Sequence, residues 1–245
     1  MIPRILIDTV EIPGESKKLS LYRRGTEFTI SIGTHELMNS RMNGSEKALA
    51  ELACQKLSNR SRAKVLIGGL GMGFTLATAL NEIGPGSKVV VAELVPGVIE
   101  WSRGPLAELA GAPLKDGRVT VREMDVGDIL LEKPEAYDAI ILDVDNGPSA
   151  LTHKDNDRLY SMTGLFIAFS ALRSGGLLAV WSAGPDLAFL KRLRKAGFEV
   201  DERRIRSNGS RGAHQIIWLA SKGEPASRAT CKGQSRQGRG NRRKR

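Results

Sequence analysis

Cysteine is almost missing: Cys54 and Cys231 are the only two in 245 residues, far apart and in no metal-ligand spacing. That excludes a disulfide framework or a thiolate zinc site and fits a reducing compartment. Histidine is nearly as scarce, and His35, His153 and His214 have no metal-type partners in the sequence, so no metal is expected. No apolar run approaches the roughly 20 residues that span a bilayer. Asp8, Glu11, Glu15 and Lys17 interrupt any signal-like apolar core. The expectation is a cytoplasmic protein with no membrane segment. Acidic residues are short near one end: from Ser221 onward nine Lys and Arg face the single acid Glu224, which accounts for +8 of the net charge of +10. Residues 223–245 hold no aliphatic side chain larger than Ala and cannot bury a core, so a disordered basic tail is expected there. Such a tail offers nucleic acid a weak, salt-dependent contact that specifies no sequence.

What is present organises into three parts, bounded at 1–43, 44–222 and 223–245. The first alternates apolar and polar residues up to about Gly33, with Gly14 and Gly25 as breaks, and predicts two or three short antiparallel strands. Asn43 with Glu46 three residues on is a capping signal for a helix whose apolar face carries Leu49, Leu52, Ala53 and Leu57. From Lys64 on, continuous apolar runs at 64–68, 88–93, 118–124, 137–143 and 176–182 alternate with helices, as in a parallel sheet covered on both faces. One of those helices is expected to carry a stripe through Leu159, Met162, Leu165, Phe166, Phe169 and Leu172. The link between the last two strands, at 207–212, is too short for a crossover and forces an antiparallel pair. The fold class is α/β: a Rossmann-like class I methyltransferase fold, its mostly parallel seven-stranded sheet ending in an antiparallel hairpin, preceded by a small β-region.

The candidate site residues fall at strand C-terminal ends, where open α/β sheets bind ligands. Gly69, Gly71 and Gly73 follow the first parallel strand and open a helix; the spacing differs from the dinucleotide fingerprint because Phe74 stands where its last glycine would fall. Glu93 closes the second strand, 24 positions after Gly69, where an acid can chelate ribose hydroxyls. Asp125 and Val126 follow the third strand, placed to accept from an adenine amino group and to offer a backbone N–H and apolar contact. Asp143 and Asp145 follow the fourth. Two acids beside a nucleoside suit a substrate that is cationic before it reacts, since an amine with a pKa near ~10 must be held and then deprotonated. Asp143 is the candidate base and Asp145 the candidate amine ligand.

These segments resemble the spermidine synthase family. The resemblance is carried by Val65-Leu66-Ile67-Gly68-Gly69, the Glu93 strand, Tyr137-Asp138-Ala139-Ile140-Ile141-Leu142-Asp143, Gly147-Pro148 and Ala171-Leu172-Arg173-Ser174-Gly175-Gly176, and it spans roughly 27–220. It implies aminopropyl transfer from decarboxylated S-adenosylmethionine to an amine such as putrescine. It also implies a nucleoside held by Gly69, Gly71, Gly73, Glu93 and Asp125, assistance to the amine by Asp143, and a homodimer. The chain departs from the family where a loop acid would hold the donor's amine: Leu70, Gly71 and Met72 supply none. Intact S-adenosylmethionine therefore stays open as the donor. Two alternatives stand beside the aminopropyltransferase: a methyltransferase on a small molecule, protein or RNA, and a non-catalytic nucleoside- or RNA-binding protein.

Overall fold

The alternating N-terminal segment folds into an antiparallel sheet in the order β1 (Ile5–Glu11), β2 (Lys18–Arg24), β3 (Glu27–Ile32), β4 (His35–Asn39). The computed structural model describes residues 2–144, 156–208 and 211–223. The fourth strand goes beyond the two or three expected. Gly33, at φ +55°, turns the chain back, and the polar His35, Glu36 and Asn39 hide the alternation that would have announced β4. Leu21 and Ile30 from this sheet are buried in the same apolar cluster as Val65, Ile67 and Leu76 of the main body.

The main sheet has seven strands: β5 (Lys64–Gly68), β6 (Lys88–Glu93), β7 (Val119–Glu123), β8 (Tyr137–Leu142), β9 (Leu172–Ser182), β10 (Glu199–Asn208) and β11 (Arg211–Ser221). Their spatial order is β10-β11-β9-β8-β5-β6-β7. β5 pairs in parallel with β6 on one side and β8 on the other, so the direction of winding reverses between β5 and β8. That is the topological switch point, where the carboxyl ends of two adjacent strands leave a crevice. β11 runs antiparallel to both β9 and β10, as expected, but β10 and β11 reach into the expected 207–212 link, pairing as far as Asn208 with Arg211. This is the class I methyltransferase arrangement.

Both faces of the sheet are buried. Val65, Ile67, Ala139 and Ile141 point into one apolar cluster, and Leu66, Ile140 and Leu142 into the other. Period-two alternation along β5 and β8 therefore feeds two cores, which is why these strands read as unbroken apolar runs. The first face is covered by α1 (Gly44–Gln55), α2 (Phe74–Glu82) and α3 (Pro96–Arg103), the second by α4 (Val126–Glu132), α6 (Met162–Ala171) and α7 (Leu187–Lys195). Each fully buried aliphatic adds about 1.5–3 kcal/mol against conformational entropy.

Two local expectations are corrected. The stripe from Leu159 to Leu172 is not one helix: α5 (Asn156–Tyr160) ends, Ser161 accepts from the Gly164 N–H at 3.1 Å, and α6 begins there. Within α6 Phe166 is 51% exposed, and Leu172 already belongs to β9. The helix after Asn43 starts where expected, but Asn43 makes no side-chain cap; its amide donates to the Ser40 carbonyl at 3.0 Å. Lys222, the last residue of the middle part, donates to the carbonyls of Phe169 and Leu172 at the end of α6 (2.9 and 2.6 Å).

A buried carboxylate locks the far end of the sheet. Asp138, 3% exposed at the start of β8, accepts from the Lys64 N–H at 2.7 Å, from Arg173 at 2.7 Å and from Arg60. Three segments distant in sequence meet on this one side chain, opposite the crevice.

Candidate functional site

The crevice starts with the glycines. Gly69, Gly71 and Gly73 adopt φ of +88°, +51° and +85°, a left-handed conformation that side chains strongly disfavour. At Gly69 space also decides: a Cβ would lie 2.4 Å from the carbonyl oxygen of Asp143. The loop can rest on the end of β8 only because this residue has no side chain. Leu70 and Met72, 4% and 5% exposed, pack into the core and also line the smaller cavity described below, as apolar side chains where an acid would stand.

Glu93 ties this loop to the end of β6. Its two carboxylate oxygens accept from the backbone N–H groups of Leu70 and Val95, each at 2.9 Å. Burial pushes its carboxyl above the ordinary range, and the N–H groups of Val95, Leu70, Gly71 and Leu94 pull the other way. Asp125 caps α4 by accepting from the Gly127 N–H at 2.7 Å. Val126 packs its side chain against Gly68.

Gly69, Gly71, Glu93, Asp125, Val126 and Asp143 all line one cavity of about 710 Å³. Its other wall comes from the N-terminal sheet, through Ile12, Leu19, Ile30 and Met38. The volume lies within the roughly 300–1,000 Å³ usual for small-molecule sites. Gly73 is outside this lining; it stands at the N-cap of α2, facing Pro113 and Ala110. Asp145 and His153 lie outside the described residues. His35 and His214 are exposed on strands. Among the described residues, no group of three or more His, Cys, Asp or Glu is placed to hold a metal.

Asp143 sits where two cavities meet. It lines the larger one and also a second, of about 330 Å³, beneath β4 and the start of α1. Thr75, one residue into α2, donates its hydroxyl to Asp143 at 2.5 Å. Burial and, next, the nearby Glu46 carboxylate raise the Asp143 carboxyl to about 7, against the Thr75 hydrogen bond. Glu46 is itself raised, chiefly by burial. Among the described residues, the second cavity is lined by Glu36, Glu46 and Asp143 and by no Lys or Arg, and Trp181 and Gln215 also border it.

Sequence reasoning overlooked Thr75 and named Glu46 only as a capping partner among its candidates. Thr75 follows the glycine turn by two positions, a spacing that could have marked it. Glu46 carried a signal, read as a capping partner; its carboxylate accepts from the Ser45 hydroxyl at 2.8 Å and borders the cavity instead.

No family model matches this sequence, and neither does any curated protein. Solved structures do. A spermidine synthase in complex with the transition-state analogue AdoDATO superposes with a TM-score of 0.70 at 17% identity, covering 90% of this chain and 73% of that one. Spermidine synthase from Thermotoga maritima gives 0.69 at 18% identity, covering 90% and 74%. A probable spermidine synthase from Corynebacterium glutamicum gives 0.61 at 19%, covering 87% and 79%. The chain has a spermidine synthase-like fold.

Proposed function

We propose that this protein is a transferase that moves an aminopropyl group from decarboxylated S-adenosylmethionine to a small primary amine such as putrescine. The observation that carries this reading is Asp143: a carboxyl held near 7, placed between a nucleoside-sized cavity and an acid-lined one. The larger cavity takes the nucleoside, with Glu93 toward the ribose and Asp125 and Val126 toward the base. AdoDATO in a neighbour of the same fold supports that placement. The acid-lined cavity takes the amine.

An alkyl ammonium with a pKa near ~10 must lose a proton before it can attack. Passing it to an ordinary carboxylate near ~4 is uphill by about six pKa units. Asp143, whose carboxyl is raised by burial and then by the Glu46 charge, makes that transfer less steeply uphill. The freed nitrogen lone pair forms a bond to the methylene carbon next to the sulfonium. The carbon–sulfur bond breaks, its electrons neutralise sulfur, and methylthioadenosine leaves, with the proton on Asp143. In-line positioning across the two cavities does the rest.

A methyl transfer from intact S-adenosylmethionine is the second reading. Arg158, which lines the larger cavity, favours it, because a guanidinium there suits the carboxylate that only the intact donor carries. Calorimetric titration with both donors, and assay of methylthioadenosine release with 1,4-diaminobutane, separate the two. Tighter binding of the decarboxylated donor with amine-dependent release is expected. Preference for the intact donor with no release would replace aminopropyl transfer by methyl transfer.

A further inference from the structure

Positive charge gathers at the end of the main sheet away from the crevice, where the parallel strands begin. Lys64 opens β5 and Lys88 opens β6, and the two are partners in register. Arg118 stands one residue before β7, its carbonyl accepting from the Val89 N–H at 3.0 Å. On the other side of β8, Arg173 is the second residue of β9. Lys222 follows the end of the antiparallel β11, its N–H donating to the Gly176 carbonyl at 2.8 Å. With about 4.8 Å between neighbouring strands, the row from Arg173 on β9 to Arg118 beside β7 is about 19 Å long.

The carboxylates on this face leave much of that charge uncompensated. Asp116 is held by Arg118 at 2.8 Å and Glu132 by Arg122 at 2.6 Å. Asp138 is buried beneath Arg60 and Arg173, one carboxylate for two guanidiniums. Glu82, Glu135 and Glu199 remain, all exposed. Arg62, Lys88 and Lys133 are exposed and make no ion pair among the described residues. A Cβ on Gly86 would lie 3.2 Å from Arg62 Cγ, so Arg62 stands beside the turn that leads into Lys88. Lys64 leans over the Tyr137 ring, 5.0 Å from its centroid. Like charges facing each other across neighbouring strands repel, a cost that a bound anion removes. The described chain leaves this same face at Gly223, and the sequence beyond it carries eight Lys and Arg against Glu224 alone.

We propose that this amino edge of the main sheet is a docking surface for a nucleic-acid duplex, gripped through its phosphates by Arg62, Lys64, Lys88 and the cations beside them. The shape of the charge calls for a polyanion, since one phosphate does not occupy a row about 19 Å long. A lipid surface fits less well, because none of the large exposed apolar side chains among the described residues lies in this row to enter a bilayer. A single strand fits less well too. Tyr137 and Phe198 are buried and Phe169 lies under Lys222, 4.9 Å from its centroid, so they offer no platform on which bases could stack. A duplex keeps its bases stacked and presents one phosphate charge per ~1.7 Å of its axis. The surface is opposite the crevice, so the duplex and the nucleoside bind without competing, and phosphate contact alone reads no sequence. The inference is independent of the transferase reading.

The test uses the full-length protein and fluorescein-labelled RNA and DNA duplexes of about 20 base pairs, with anisotropy read across a salt series. The two duplexes should bind alike. Arg62→Glu with Lys88→Glu should weaken binding about ten-fold or more and lower the slope of log affinity against log salt by about 2, one per lost phosphate contact. Arg62→Gln with Lys88→Gln adds no repulsion; it should lower the slope alike with a smaller loss, and it serves where the reversed pair fails to fold. Arg23→Glu with Arg24→Glu, exposed on the N-terminal sheet, makes the same change in net charge and should leave affinity within about three-fold. Equal weakening by both reversed pairs would reduce the effect to bulk charge and overturn the proposal. Duplex binding untouched by the changes at Arg62 and Lys88 overturns it as well. So does a wild type that binds no duplex, or one that prefers a single strand of the same length or phosphatidylserine vesicles.

Discussion

Replacing Asp143 with Asn should make the protein more stable and less active at once, and the two effects have different pH dependence. The carboxyl is raised from 3.8 to about 7 in the folded chain, by burial first and the Glu46 charge second. Its native form therefore binds a proton more tightly than its unfolded form. By linkage, stability falls as pH rises through the window from about 4 to about 7. Below that window both states are protonated and the group costs nothing; above it the full penalty applies. Three units at ~1.4 kcal/mol each set a ceiling of about 4 kcal/mol. Asn keeps an oxygen to accept from Thr75 and carries no charge, so it avoids this penalty. Because Asp143 opens onto two cavities, a gain of about 1–3 kcal/mol at pH 8 is expected, or roughly 2–12 °C in Tm for a chain of this size. At pH 4 the gain should vanish. Turnover should drop about 10²- to 10⁴-fold, since no base remains, while methylthioadenosine affinity holds. Thermal melts at pH 4, 6 and 8 beside rate measurements give the answer. An Asn variant destabilised equally at every pH would show that Asp143 is ionised and structurally paired in the native state. An Asn variant that turns over normally would remove it from the mechanism.

Gly69→Ala should fail on two counts, a φ of +88° and a Cβ 2.4 Å from the Asp143 carbonyl. The strain is about 1–3 kcal/mol in stability, read by denaturant titration, with a larger loss of nucleoside affinity because the loop must lift off β8. Glu93→Gln replaces one accepting oxygen with an amide N–H that faces a backbone N–H. A loss of about 2 kcal/mol and weaker nucleoside binding are expected, and calorimetric affinity equal to wild type would exclude Glu93 from the ribose site. Asp138→Ala should cost about 3 kcal/mol by leaving Arg60 and Arg173 without their shared carboxylate, with nucleoside affinity in the surviving folded fraction unchanged, since Asp138 lies away from both cavities.

The parts legible in the sequence are those where one local rule has one outcome. The apolar run Val65-Leu66-Ile67 could only be a strand buried on both faces, and the six-residue link at 207–212 allowed only an antiparallel return. The three glycines announced a left-handed turn after β5, and Glu93 and Asp125 could be placed by their distance from it. The fourth N-terminal strand stayed hidden because β4 carries too many polar residues for its apolar alternation to show. The break at Ser161 stayed hidden because Leu, Met and Phe continue on both sides of it, and only the close approach of Gly164 to the Arg158 and Leu159 carbonyls reveals why two helices meet there.

Glu46 is the instructive case, since it was read as a capping partner and its carboxylate borders the smaller cavity. A carboxylate three residues after Asn43 fits a capping box, and sequence spacing cannot tell a side chain that folds back on its own helix from one that faces a neighbouring strand. The deciding fact is tertiary: α1 packs beside α2 and β8, so the first turn of α1 stands over the end of β8. There burial, and after it the like charge of Glu46, raises the Asp143 carboxyl above its ordinary range. An ammonium bound beside the two carboxylates offsets part of the penalty of charging Asp143, which is burial first and the Glu46 charge second, so the apparent midpoint of Asp143 should fall when 1,4-diaminobutane binds.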